Sequence, residues 1–217
     1  MTVSNTTFVL CLFGSSHNIS TNITPILNSP SSKNLIFASK KITLSMNTDL
    51  TSLQTHILSQ RIFDSEIHGL THWLQVERNG LLLASETGAD TSVVRLFALF
   101  HDSKRVDDNF DLEHGLRGAE FAKTCFEEQR LDISQAQLDK LYHACKFHTT
   151  EHRSGDATID TCYDADRLDL GRVDIKLDPS KMATAVGKRI AQKSLDAGIA
   201  PDKMREWLEE FSKHLNP

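Results

Sequence analysis

Apolar residues along most of the chain recur at intervals of three and four, which is the spacing of an amphipathic helix. Residues 66–88 follow this spacing and end at Gly88, a residue type typical of helix ends. Residues 91–100 are almost entirely apolar and predict a buried core helix that begins at a Thr91 or Ser92 cap. Trp73 is also expected in the core. Further helices are predicted over residues 113–129, 134–148, 179–195 and 201–215, so the predicted fold class is all-α, a single-domain helical bundle.

The first 45 residues differ in composition from the rest of the chain. They contain none of the chain's 29 acidic residues, and Ser, Thr and Asn make up 20 of them. Such a segment buries little apolar surface, so we predict a poorly ordered tail over residues 1–45 and a folded domain over residues 46–217. The tail can be interpreted as a signal peptide, as a transit peptide or as the result of a misassigned start before Met46. The short apolar run and the lack of Arg favour the third interpretation.

The bulk properties restrict the function classes. A net charge of -5 weighs against binding to a nucleic-acid polymer. No apolar stretch approaches the roughly 20 residues that span a bilayer, so no membrane partner is expected. The four cysteines lack a C-x-x-C spacing, which suits buried thiols in a reducing compartment. We therefore predict a cytoplasmic protein, with its oligomeric state left open.

Polar residues interrupt the most apolar part of the chain. His101 and Asp102 follow directly after the run that ends at Phe100, and burying both without partners would cost several kcal/mol. Seven of the ten histidines lie between residues 68 and 152. Imidazole and carboxylate groups together suit a divalent transition-metal ion. The sequence therefore indicates a metal site.

The order of these residues is more specific than their number. His72 begins an H-x-x-x-V step, His101 and Asp102 follow, and Asp166 lies in the later sequence DADRLD. Over roughly residues 66–172 this order resembles the HD-domain superfamily of metal-dependent phosphohydrolases. The resemblance implies that His72, His101, Asp102 and Asp166 hold a divalent ion, which could be Mn, Co, Ni, Fe, Mg or Zn.

Other polar residues have less specific patterns. His114 and His148 resemble the additional ligands of dinuclear members, which implies either a second metal ion or a phosphate pocket; the alternative is that both are exposed helix histidines. Asp164 is expected to orient a metal ligand. The alternative for Asp164, Asp166 and Asp169 is a solvated helix start.

Candidates for catalysis lie close to the predicted ligands. His68 precedes His72 by four residues, so we expect it on the same helix face, near the substrate. Arg105 follows the His-Asp pair and is expected to hold phosphate oxygens. The general acid or base is left open between His68, His114 and Asp164. Further candidates for phosphate binding are Arg117, Lys146 and Arg167.

The resemblance implies a metal-dependent phosphohydrolase, a phosphatase or phosphodiesterase. Its expected substrate is a small-molecule phosphate ester, such as a nucleotide, attacked by a metal-activated water. Two alternatives remain. One is a dinuclear iron oxygenase of the same superfamily, in which His114 and His148 are ligands. The other is a nucleotide-binding regulatory domain without catalysis.

Overall fold

The computed structural model describes residues 50–213, and this part of the chain contains helices and no strand. The predicted all-α class is therefore confirmed. The predicted tail over residues 1–45 and the boundary at residue 46 lie outside the described residues, and that boundary stays a prediction. The α-helices are α1 (50–59), α2 (Leu70–Thr87), α3 (Thr91–Phe100), α4 (His114–Glu127), α5 (Gln135–Phe147), α6 (Ala157–Arg167), α7 (Ala185–Asp196) and α8 (Met204–Lys213).

Helix α3 is the centre of the bundle and packs against α2, α4, α5 and α6. Its apolar residues are buried as predicted, and Phe97 and Phe100 are fully enclosed. Burial of a large apolar side chain contributes about 1.5–3 kcal/mol, so this helix is a main source of core stability. Its cap differs from the prediction: the side chain of Asp90, rather than Thr91 or Ser92, accepts from the backbone N–H groups of Ser92 and Val93.

The leucines of α2 do not all lie on its inner face. Leu74 and Leu81 are each 38% exposed. The buried face carries Trp73, as predicted, together with His72, Val76 and Leu83. A histidine thus takes a position that an apolar side chain would ordinarily fill. The helix ends as predicted at Gly88, which has a φ of 69°.

The second half of the domain departs most from the predicted elements. Helix α6 was not predicted as a separate element. The predicted helix over residues 179–195 is divided into a 3-10 turn at Pro179–Lys181 and helix α7, which Thr184 caps. The last predicted helix likewise begins with a 3-10 turn at Pro201–Lys203, before α8. Proline at the start of each turn suits the first helical position, where no N–H donor is needed.

Two predictions from the composition can be compared with residues 50–213. The cysteines in this range, Cys125, Cys145 and Cys162, are free and buried as expected. None of the helices in the described range combines the length and the apolar character that a membrane crossing requires.

Candidate metal centre

The ends of five helices meet at one place in the bundle. Each of these ends presents a histidine or an aspartate to the interior, where the bundle core would otherwise close. His72 lies in the first turn of α2, His101 and Asp102 follow α3, His114 begins α4, His148 follows α5, and Asp166 is next to last in α6.

The first group contains the four residues that the sequence predicts as ligands. The Nε2 atom of His72 lies 3.1 Å from Nε2 of His101, 3.2 Å from Oδ1 of Asp166 and 3.6 Å from Oδ2 of Asp102. The Nε2 atom of His101 is also 3.6 Å from that Asp102 oxygen. His72, His101 and Asp102 form a buried set whose donor atoms lie close enough together to hold one metal ion.

A second group shares Asp102 with the first. The Nε2 atom of His114 lies 3.1 Å from Nε2 of His148 and 3.3 Å from Oδ1 of Asp102. These three residues are buried and also form a set that could hold a metal ion. One oxygen of Asp102 therefore faces each group. His114 and His148 are not exposed helix histidines, so that alternative is wrong.

The hydrogen bonds of the four histidines fix which nitrogen faces inward. In each ring, Nδ1 lies against an oxygen: a backbone carbonyl for His101, His114 and His148, and the Asp169 carboxylate for His72. A neutral ring whose Nδ1–H donates to such an oxygen has a lone pair at Nε2. Both pairs of Nε2 atoms, 3.1 Å apart, then face each other with lone pairs.

Such an arrangement needs positive charge between the nitrogens. A proton can supply it at His72: burial lowers the pKa of this ring, but the bonds to Asp166 and Asp169 outweigh burial and the pKa is raised. Burial lowers the pKa of His101 to about 3 and also lowers that of His114. Because His101 and His114 resist protonation, the donor set fits a divalent cation better than a set of protons.

The carboxylates are in the ionised form that a cation requires. Burial raises the pKa of Asp102, but the nearby His101 and the bond from His68 outweigh this effect and hold the pKa well below its usual range. Asp166 behaves in the same way: burial opposes ionisation, and the neighbouring His72 and His101 lower its pKa. Both groups therefore stay negatively charged at neutral pH.

A glycine allows the second group to assemble. Gly115 follows His114 at the start of α4, and a Cβ atom there would lie 2.5 Å from the carbonyl oxygen of Cys145 and 3.3 Å from the ring of His148. A larger residue would push the start of α4 away from the end of α5. The Nε2 atoms of His114 and His148 would then separate.

His68 reaches the site by a different route from the one expected. It lies in the bend before α2, not on the face of that helix, so the expectation of a shared helix face is wrong. Its Nδ1 atom is 2.9 Å from Oδ2 of Asp102 and 3.2 Å from a guanidinium nitrogen of Arg172. His68 therefore supports Asp102 directly and still has part of its ring exposed.

Arg105 is buried and is used within the protein. Its guanidinium lies 3.3 Å from Oδ1 of Asp102 and donates to the carbonyl oxygens of Asp107 and Asn109. These contacts argue against the expectation that Arg105 holds phosphate and connect it instead with the shared carboxylate. Arg117 and Arg167 likewise donate to backbone carbonyls.

The three aspartates of the DADRLD sequence have three different surroundings. The carboxylate of Asp164 accepts from the backbone N–H groups of Ala183 and Thr184 and from the Thr184 hydroxyl, at 2.7–2.8 Å. The expectation that Asp164 orients a metal ligand is therefore wrong, because it holds the start of α7. Asp169 orients His72, with Oδ2 2.7 Å from Nδ1. The alternative of a solvated helix start is also wrong, since these residues follow the end of α6 or lie in its last turn.

Sequence reasoning missed the role of Asp169, although a signal was present. Asp169 follows Asp166 by three residues, a spacing that puts two side chains on the same side of a helix, whereas Asp164 is about 200° away from Asp166.

A pocket of about 450 Å³ adjoins the two groups. Asp166 and His148 form part of its wall, so a ligand in the pocket would contact both histidine groups. The remainder of the wall is largely polar and consists of Thr149, Thr150, Glu151, His152, Arg167 and Lys181, together with Leu170.

No protein-family model and no curated protein matches the sequence. Among solved structures, the chain is similar to a predicted HD superfamily hydrolase from an uncultured Thermotogales bacterium. The similarity covers 74% of this chain and 90% of that chain, with a TM-score of 0.53 and 22% sequence identity. The fold that the HD resemblance implied is therefore confirmed, and the chain has the fold of an HD superfamily protein.

Proposed function

We propose that this protein is a metal-dependent phosphohydrolase with two adjacent cation sites that share Asp102. The observation that carries the proposal is the position of that carboxylate, with one oxygen toward His72 and His101 and the other toward His114 and His148. His72, His101, Asp102 and Asp166 would hold the first ion, and Asp102, His114 and His148 the second. Two ions a few ångströms apart are a common arrangement in phosphate-ester hydrolysis.

Divalent cations in these sites would supply Lewis-acid chemistry, polarising a phosphoryl oxygen and lowering the pKa of water. The protein's own groups fix the donor atoms, and their surroundings keep His101, His114 and the two carboxylates, Asp102 and Asp166, unprotonated at neutral pH. His68 is our candidate for proton transfer. Because its Nδ1–H donates to the Asp102 carboxylate, Nε2 is the atom that would exchange a proton with substrate or solvent.

The adjoining pocket supports a small substrate. A volume of about 450 Å³ is large enough for a molecule of nucleotide size, and the hydroxyl groups and the lysine suit a polar ligand. The wall also carries the carboxylates of Glu151 and Asp166, so the bound cations would balance the negative charge of a phosphate ester. We infer that the scissile phosphate lies against Asp166 and His148 and that the alcohol portion extends toward Thr150 and Lys181. The similarity to a protein described as a hydrolase supports the same reaction class.

The test is hydrolysis by metal-free protein reloaded with single metals. Protein stripped with EDTA is supplied with Mn, Co, Ni, Fe(II), Mg or Zn and assayed with nucleotides, cyclic dinucleotides, sugar phosphates and bis-p-nitrophenyl phosphate. We expect phosphate-ester cleavage with at least one metal and close to two bound ions per chain. Failure to bind any of these metals, or binding without hydrolysis of any ester, would contradict the proposal.

The second group also supports a different candidate, the dinuclear iron oxygenase. His114 and His148 complete a six-residue donor set of the size that such enzymes use. Two tightly bound irons per chain together with substrate-dependent oxygen consumption, and no ester hydrolysis, would favour it. Nucleotide binding without turnover would instead favour a regulatory domain.

A further inference from the structure

A chain of charged contacts connects the C-terminal helix to the first histidine group. We propose that Arg205, on α8, is a positioning residue for metal binding, which acts through Asp169 on the orientation and tautomer of His72. This inference rests on the proposed function in that it takes His72 as a metal ligand. The inference gives α8, a helix that carries no predicted metal ligand, a role in positioning His72.

The contacts form an unbroken path. The Nε and Nη2 atoms of Arg205 lie 2.7 and 2.8 Å from the two carboxylate oxygens of Asp169, a bidentate pair. The Oδ2 atom of Asp169 lies in turn 2.7 Å from Nδ1 of His72. The opposite nitrogen of this ring faces His101 and Asp166. Two hydrogen bonds therefore separate the guanidinium from the predicted ligand atom.

The direction of each hydrogen bond determines what this path does. An ionised carboxylate held by a guanidinium can only accept, so the proton of the His72–Asp169 bond must lie on Nδ1 of His72. The Nε2 atom is then left with the lone pair that a cation requires. Without the guanidinium, the carboxylate could rotate and the ring could turn with it.

Asp169 has no access to solvent that could replace Arg205. Its side chain is completely buried. Arg172 is also nearby, but its closest approach to this carboxylate is 4.0 Å, and it donates to the carbonyl oxygens of Ile67 and Asp169 instead. Arg205 is thus the bidentate cation for a carboxylate that would otherwise be buried with His72 as its main partner.

The backbone is arranged so that α8 can approach this closely. Gly171 lies two residues after Asp169, and a Cβ atom there would be 2.2 Å from the carbonyl oxygen of Pro201 and 3.1 Å from Cβ of Met204. Glycine therefore lets the turn before α8 rest directly on the turn after Asp169. Met204 and Leu208 are buried on the same side and hold α8 in place.

The chain offers a matched control for the loss of an arginine pair. Arg189 on α7 also binds a carboxylate, that of Glu86 on α2, at 2.6 Å to both oxygens. The exposed fractions of the arginine side chains are similar, 43% for Arg189 and 36% for Arg205, whereas Glu86 is 40% exposed and Asp169 is buried. The structure gives Glu86 no contact with a histidine of either group. Arg189→Gln therefore removes a pair between helices without touching the path to His72.

The experiment measures Mn²⁺ affinity by calorimetry on the EDTA-stripped full chain. We expect Arg205→Gln to weaken binding about 10- to 100-fold, the usual effect of losing an outer partner of a metal ligand. Arg189→Gln should remain within about twofold of the unchanged protein. Arg205→Lys keeps the positive charge but loses the bidentate contact with Asp169, and it should give an intermediate affinity. When Arg205→Gln is added to Asp169→Asn, we expect no further loss of Mn²⁺ affinity, because the path from Arg205 to His72 is already broken.

A second readout needs no metal. Nitrogen NMR of the stripped protein at pH 9 reports the His72 tautomer, which we expect to be Nδ1–H in the unchanged protein and mixed in Arg205→Gln. If the unchanged protein binds Mn²⁺ too weakly to measure, the titration uses whichever of the six metals it binds; if it binds none of them, the proposed function fails, while the tautomer shift still decides the role of Arg205. Equal Mn²⁺ affinity and an unchanged tautomer in Arg205→Gln would overturn the inference. If that variant does not fold, Arg205→Lys decides by the same two measurements.

Discussion

At the scale of single residues, Asp102 has the most contacts with other candidate groups. Its Oδ2 atom faces His68, His72 and His101, and its Oδ1 atom faces Arg105 and His114. A carboxylate between two imidazole pairs can bind one cation with each oxygen, and it then sets the distance between the two cations. A change at this one side chain therefore affects both groups.

Asp102→Ala should lower metal affinity by orders of magnitude at both sites and abolish hydrolysis, while the protein still folds. The apolar core of α3 does not depend on the carboxylate, although the metal-free protein should lose some stability with the contact to Arg105. Bound metal is measured by elemental analysis and folding by thermal unfolding. Asp160→Ala is the matched control, since Asp160 is also buried but accepts from Ser154 and Gly155, outside both groups. Full metal content and activity in Asp102→Ala would contradict the assignment.

Arg105→Ala distinguishes support of a ligand from contact with substrate. Because the guanidinium contacts Asp102 and two loop carbonyls, we expect a weaker metal affinity, about 10-fold, and a lower apparent activity that excess metal restores. A residue that grips substrate phosphate would instead raise KM at saturating metal and leave affinity for the ion unchanged. Titration of activity against metal, and then against substrate, separates the two results. A raised KM with unchanged metal affinity would contradict this expectation and indicate that Arg105 binds substrate.

The sequence predicted the convergence of His72, His101, Asp102 and Asp166, because their order and their positions near helix ends resemble a known pattern. It did not predict how the outer partners are distributed. Asp164 and Asp169 both flank Asp166 and have the same chemistry. Their partners, the start of α7 and His72, lie 19 or more residues away along the chain. The spacing places Asp169, and not Asp164, on the same side of the helix as Asp166, but the partner that each carboxylate meets follows from tertiary packing.

At the scale of elements, α6 shows why a buried helix can escape a search for periodicity. Thr158, Asp160, Thr161 and Asp164 are all buried in it, so polar residues occupy the inner face that apolar residues would mark. Helix α3 was predicted correctly because its inner residues are all apolar. The error at its cap is of another kind, since Asp90, Thr91 and Ser92 all suit that position and only the backbone decides among them.

Asp164 connects two of these elements, and Asp164→Ala should therefore act on stability. Its loss leaves the N–H groups of Ala183 and Thr184 without their acceptor at the start of α7, which should cost about 2–4 kcal/mol of the free energy of unfolding. The metal affinity of the folded protein should stay close to normal. Urea unfolding and Mn²⁺ calorimetry test the two parts.

Asp178→Ala is the comparison for Asp164→Ala. Asp178 also accepts from a backbone N–H at a turn, that of Ser180, but it is exposed. We expect it to cost well under half as much stability. A loss of metal binding in folded Asp164→Ala, with stability unchanged, would restore the role of orienting a ligand.

At the scale of the whole molecule, the helical core is stabilised by burying apolar side chains, whereas the site requires that polar and charged side chains be buried. The bundle buries four histidines and several carboxylates at the meeting point of its helix ends, and it neutralises them through one another and through arginines on α8 and on the segment after α3. In the metal-free protein this balance depends on pH. The shifted pKa values of the histidines give its direction.

Lowering the pH from 7 to 5 should destabilise the metal-free protein. His101 has a folded-state pKa of about 3, below the ordinary 6.5 of the unfolded chain, because of burial. Below pH 6.5 this ring is therefore protonated in the unfolded chain but not in the folded protein. The difference lowers the free energy of unfolding by about 2 kcal/mol at pH 5. His114 has a lowered pKa and acts in the same direction.

His72 opposes this trend, because its raised pKa gives a stabilisation that is complete below pH 6.5 and is lost as pH rises through the folded value. The buried carboxylates Asp102 and Asp166 have lowered pKa values and do not change between pH 5 and 7. Asp164 also opposes the trend, because burial raises its pKa. The pKa of His101 is lowered the furthest, to about 3, so the free energy of unfolding in EDTA, measured by urea at pH 7, 6 and 5, should fall. His101→Asn removes the largest contribution and should flatten this dependence. Stability that stays constant or rises toward pH 5 in the unchanged protein would mean that His101 and His114 are protonated in the folded state. The argument that their rings present lone pairs to a cation would then fail.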